Sequence, residues 1–132
     1  MADRNDGGFL RQMLLLDGAV SGATGALMAA AASPLETWLG LPAVLLRTAG
    51  FVLLPFAALV LALGRGGQPA RRAVGAVVAM NVTWVIGSVL LLVTGLVQPS
   101  MFGYVFILVQ AAAVAVLGEL QLIGLRRMAQ PA

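Results

Sequence analysis

The chain has no cysteine, no histidine and no lysine. Without cysteine there is neither a disulfide nor thiolate chemistry. Without histidine, imidazole acid–base catalysis is excluded, and the two absences together remove the usual zinc, copper and haem ligand sets. Charge is scarce as well. Charged residues make up 10% of the 132 positions, against about 25% in a soluble globular chain. All eight basic residues are arginines, set at the ends of apolar runs instead of gathered into the basic face that nucleic acid needs. The composition therefore predicts no metal, no cofactor and no nucleic-acid partner. It predicts a lipid bilayer, because 61% of the residues are hydrophobic. Arginine without lysine, beside abundant alanine and glycine, points to GC-rich bacterial coding. The expected location is the bacterial inner (cytoplasmic) membrane.

Four apolar runs stand out: Met13 to Ala32, Leu41 to Leu63, Ala73 to Val97 and Met101 to Leu125. Each is close to the roughly 20 residues a helix needs to cross the hydrocarbon core. Turn residues separate them: Ser33-Pro34 and Gly40-Leu41-Pro42, then Gly64 to Pro69, then Gln98-Pro99-Ser100. Either Pro34 or Pro42 suits a first helical turn. The expected fold is all-α, a single domain over 1–132 with four transmembrane helices in an up-down bundle. Arg4, Arg11, Arg65, Arg71, Arg72, Arg126 and Arg127 fall on one side of that topology and only Arg47 on the other. The bias predicts a cytoplasmic N-terminus and C-terminus. Residues 1 to 33 also have the outline of a secretory signal, ending in Ala30-Ala31-Ala32-Ser33. The apolar run is longer than a signal core and contains Asp17, so it is read as a retained span.

A shift of 65 residues lays Gly22 on Gly87, Leu27 on Leu92 and Pro34 on Pro99, with Asp17 one residue from Asn81. Two parallel helical hairpins related by a pseudo-two-fold would give that pattern, and so would chance in a chain this rich in Ala, Gly, Leu and Val. Helix packing in lipid rests on small residues. Gly18, Gly22 and Ala26 mark the first span, Gly75, Ala79, Thr83 and Gly87 the third, and Ala111 and Ala115 the fourth. These stripes predict tight contacts among spans one, three and four. The second span, with Pro55 as a candidate kink, is expected to be the more lipid-exposed. The stripes suit packing within the bundle or an intermolecular face.

Ionisable groups inside a span are functional candidates by default. Three occur: Asp17, Arg47 and Glu119. Measured along each helix from the nearest arginine, Asp17 and Glu119 lie about 10 Å deep and Asn81 about 13 Å deep. The candidate intramembrane polar site is therefore Asp17, Asn81, Thr83, Trp84 and Glu119. In one reading Asp17 and Glu119 form a proton or cation site, two close carboxylates sharing a proton. In the other, each acid pairs with a snorkelling arginine, Glu119 with Arg126 for example, and Asn81 is an interhelical hydrogen bond. Arg47 is read as snorkelling outwards towards Glu36. Asn81-Val82-Thr83 fits a glycosylation acceptor but lies inside a span. Trp38, Phe102 and Tyr104 read as interfacial belt residues.

Asp17, Asn81-Val82-Thr83-Trp84 and Glu119-Leu120-Gln121 together resemble a pattern in uncharacterised small four-helix integral membrane proteins of bacteria. That resemblance covers most of the chain and implies the fold without an activity. The small multidrug exporters are similar in having four short spans and an acid in the first. This chain departs from them in having Asp where Glu is expected, no aromatic surroundings for a cationic drug, and one strongly favoured orientation. The leading functional expectation is a non-enzymatic accessory subunit or homo-oligomeric scaffold, with a homo-oligomer or a larger membrane complex as its partner. The alternatives are a proton- or cation-coupled transporter using Asp17 and Glu119, and a binder of an apolar ligand such as lipid, quinone or carotenoid.

Overall fold

The computed structural model describes residues 7–129, and all regular structure among them is helical. In chain order the helices are α1 (Gly8–Ala30), α2 (Ala32–Leu39), α3 (Ala43–Arg65), α4 (Arg71–Val93) and α5 (Met101–Ala129). Helices α1, α3, α4 and α5 are long and apolar enough to cross a membrane. The chain is an all-α, multi-pass membrane protein. Its helices alternate in direction, so the start of α1, the α3–α4 turn and the end of α5 share one end, the arginine-bearing end.

The buried positions follow a spacing of alternately three and four residues. In α3 they are Leu46, Gly50, Leu53, Ala57, Val60 and Gly64. In α4 they are Val74, Val77, Asn81 and Ser88, with half-buried Trp84 completing the series. This 3.5-residue repeat keeps one seam of each helix turned inwards. The most extensive contact is α1 against α3, and it is close. A Cβ added at Gly50 would lie 2.7 Å from the backbone of Gly25 and Ala29, and one at Gly25 would lie 2.9 Å from Leu53. The expectation that the second span is the lipid-exposed one is thus overturned. Its seam mixes Gly50 and Gly64 with Leu and Val, and the two glycines let α1 approach. Helix α3 continues unbroken through Pro55, which faces outwards. Helix α5 lies between α1 and α4, whereas α3 and α4 barely touch. The bundle is consequently open along one side. The two hairpins, α1/α3 and α4/α5, dock mainly through α1 and α5, without the equally extensive α3/α4 contact that a symmetric repeat would make.

The end opposite the arginines differs in detail from the sequence expectation. Helix α1 starts five residues earlier than the first apolar run, and Pro34 sits in the first turn of a short extra helix, α2. Gly40, at φ 70°, ends α2, its N–H donating to the Glu36 carbonyl at 2.9 Å. Helix α4 stops at Val93, short of Val97, because Gly95 turns the chain into the left-handed region at φ 74°. Ser100 joins the two loops. Its N–H donates to the Leu39 carbonyl at 2.9 Å and its hydroxyl to the Trp38 carbonyl at 2.6 Å. The same hydroxyl accepts the Gly103 N–H at 3.2 Å, as an N-cap of α5 does.

Candidate functional site

Three helices each bring one long-range polar side chain to the same layer. Asp17 in α1, Asn81 in α4 and Gln121 in α5 are exposed by only 1%, 4% and 0%. The Asn81 side-chain amide donates both to Asp17 Oδ2, at 3.2 Å, and to Gln121 Oε1, at 3.0 Å. Gln121 Nε2 closes the triangle by donating to Asp17 Oδ2 at 2.6 Å. One turn along α1, the Ser21 hydroxyl donates to Asp17 Oδ1 at 3.0 Å. The carboxylate therefore accepts three hydrogen bonds, all from uncharged donors. On the arginine-bearing side an apolar cluster of Leu10, Leu14, Val60, Val74, Val77 and Leu125 covers the layer. With no water in the bilayer core, each of these polar groups has to find its partner inside the protein.

A second polar cluster lies further from the arginines, where α4 meets α5. Trp84 Nε1 donates to Gln110 Oε1 at 2.6 Å, and Gln110 Nε2 donates to the Ser88 hydroxyl at 3.0 Å. Ser88 in turn donates to the Trp84 carbonyl at 2.8 Å. Trp84 also packs against the apolar cluster built on Met28, Leu46, Leu53 and Ile107.

The five residues singled out in the sequence fall into three groups. Asp17 and Asn81 meet. Trp84 lies beside them in the second cluster. Thr83 and Glu119 turn away from both, Thr83 donating to the Ala79 carbonyl of its own helix at 2.9 Å. Glu119 is exposed on the outer face of α5. The reason is angular: at about 100° per residue, Glu119 is about 200° from Gln121, so when one faces in the other faces out. Depth along the helix placed Glu119 in the layer, and azimuth removes it. Among the described residues it makes no side-chain hydrogen bond, to Arg126 or otherwise. Arg47 and Glu36 are likewise exposed.

Gln121, Ser21, Gln110 and Ser88 complete the two clusters and were not marked as site residues in the sequence. Their spacing was a usable signal. Asp17 and Ser21 are four apart, Asn81 and Ser88 seven, Gln110 and Gln121 eleven, each a helical repeat that puts both members on one face.

Where α3 and α4 diverge, a groove of about 940 Å³ opens along the bundle. One wall is α3, with Leu45, Val52 and Phe56, and the other is α4, where the small residues Ala76, Ala79, Thr83 and Gly87 stand beside Met80 and Trp84. Ser21 and Asn81 reach its floor, so the groove touches the polar layer. The donors of Ser21, Thr83, Trp84 and Ser88 along it are all engaged within the protein. No group of three metal-ligating side chains occurs among the described residues. Comparison with known protein families, with curated proteins and with solved structures finds no match.

Proposed function

We propose that this chain is a non-enzymatic accessory subunit or scaffold of a bacterial inner-membrane assembly, and that the α3/α4 groove receives a transmembrane helix. The observation that carries this reading is the open side of the bundle. Gly87 lies on the groove wall with no heavy atom within 4 Å of where its Cβ would stand, and Gly75, on the same helix, is equally empty. A glycine inside a helix costs about 1 kcal/mol relative to alanine, and close approach of another helix is what offsets that cost. The polar layer, closed on itself, then serves to fix the register of α1, α4 and α5. Native mass spectrometry in mild detergent tests the reading on the parent and Gly87→Phe. The parent is expected as an oligomer or complex and the variant as a folded monomer. A parent that is strictly monomeric and alone would overturn it.

A second reading has its own support. The groove is lined mainly by apolar side chains, follows α3 for about 20 Å from Leu45 to Leu59, and offers no spare side-chain donor. Those properties suit a linear hydrocarbon, an acyl or isoprenoid chain, better than a quinone head. Organic extraction of the purified protein decides between the two. The transporter reading needs Asp17 and Glu119 at one site, and opposite faces of α5 are poor support for it. The arginine bias supports cytoplasmic N- and C-termini. Because the chain has no cysteine, single cysteines at Gly67 and at Ser33 would report the two sides by thiol labelling, with Gly67 expected inside.

A further inference from the structure

At the arginine-bearing end a separate pocket of about 780 Å³ lies where the start of α1, the end of α3 and the end of α5 converge. Its polar side is formed by Arg11, Gln12 and Arg127, and its apolar side by Phe9, Leu15 and Gly64. Arg127 is exposed, and its guanidinium stacks on the Phe9 ring at 4.9 Å. Arg11 is half-buried. Among the described residues, the first hydrogen bond of α1 runs from Arg11 N–H to the Gly7 carbonyl, at 2.8 Å, and Gly7 provides no side-chain cap. Gly8 and Phe9, which line the pocket, stand in the first turn of α1, at the positive end of the helix dipole. Two guanidinium groups, a neutral amide and a helix N-terminus thus converge on one cavity, a combination that selects an anion.

The pocket also changes character along the membrane normal. Leu15 lies one turn deeper than Arg11. A Cβ at Gly64 would come within 2.8 Å of the Leu15 side chain, so α1 and α3 close the floor with apolar surface. Polar at the rim and apolar at the floor is the profile of a phospholipid at the interface. We propose that this pocket binds the phosphodiester of a net-anionic phospholipid, Arg11 and Arg127 holding the phosphate and the Leu15 and Gly64 surface taking the start of the acyl region. The proposal does not depend on what fills the α3/α4 groove.

The test is native mass spectrometry of the whole chain in detergent, titrated with phosphatidylglycerol, phosphatidylcholine and, separately, inorganic phosphate. Phosphatidylglycerol is expected to bind about tenfold more tightly than phosphatidylcholine. The double variant Arg11→Gln/Arg127→Gln should lose that preference, Arg11→Lys/Arg127→Lys should keep most of it, and Arg47→Gln at the opposite end should not alter it. Competition by inorganic phosphate would support the same anion site with free phosphate as its source. A preference that survives in the glutamine pair would overturn the proposal. Salt provides a check that needs no variant. The preference should decline as ionic strength rises, and one indifferent to salt would equally overturn it.

Discussion

The α1/α3 contact and the open flank of α4 are built from the same kinds of residue and put to different use. At the first, Gly18, Gly25, Gly50 and Gly64 each face atoms of the opposing helix closer than an ordinary Cβ could tolerate. On α4, Gly75 and Gly87 face nothing within 4 Å. Small-residue spacing alone therefore does not identify which helices meet. What separates the two is the rest of the seam. In α3 the glycines are interleaved with Leu46, Leu53 and Val60, whose side chains fill the spaces that a close crossing leaves beside it. On α4 the inward seam of Val74, Val77, Asn81 and Ser88 runs on a different face from the glycines. Inside the chain, α4 packs by its seam, and its glycines stay clear of the other helices.

The sharpest way to break this comparison is to enlarge one glycine on each side. Gly50→Leu would force a side chain against the backbone of Gly25 and Ala29, atoms that cannot turn aside. A loss of about 3 kcal/mol is expected, read as a lowered melting temperature in detergent. Gly87→Leu should not lower the melting temperature of the isolated chain and, by replacing a helical glycine in open space, should stabilise it by up to about 1 kcal/mol. Equal losses at the two positions would mean that α3 and α4 close on each other and that the groove is not a standing feature.

The polar layer offers a second contrast, of intermediate size. Asn81→Leu removes two donated hydrogen bonds and leaves a buried carboxylate with fewer donors than it has now. Such a deletion costs about 2 kcal/mol. Thr83→Val, two residues away on the groove wall, removes only a bond to its own helix and should cost less than about 0.5 kcal/mol. Thermal melting of the two variants side by side checks the pair.

How much of this could be read from the sequence depended on which coordinate mattered. Span number and helix type rest on run length and hydropathy, which lipid imposes uniformly, so the four apolar runs map onto α1, α3, α4 and α5. The depth of Asp17 and Asn81 was equally legible, because rise per residue is fixed and the arginines mark one boundary. Azimuth was legible in principle but needed a second polar residue at a helical interval. Asp17 with Ser21 and Gln110 with Gln121 provide one, and Glu119 has none on its face short of Arg126. Helix α2 was not legible, since Ser33-Pro34 and Gly40 read as one long turn. Only the tie from Ser100 to Trp38 and Leu39 shows what holds eight helical residues between them. Which helices touch was the least legible feature, because it is decided by shape matching between seams far apart in the chain.

The smallest expected effect separates the two carboxylates, and it bears most directly on function. Asp17 has three donors and is buried, while Glu119 has none among the described residues and faces outwards. Glu119→Gln should thus change the melting temperature of the isolated monomer by less than about 0.5 kcal/mol, whatever it does to an assembly. An ionisable side chain within a membrane helix ordinarily faces protein or water. A carboxylate on an outer face, with exposed Ala112 and Ala115 on the turns before it, marks that face as a place where another polar group can come close. The decisive comparison is Glu119→Gln in the monomer against Glu119→Gln in the purified native complex. A variant silent in the first and disruptive in the second puts Glu119 at a contact between chains. A variant that destabilises the monomer as much as Asn81→Leu would return Glu119 to the interior, beside Asp17, and with it the two-carboxylate site.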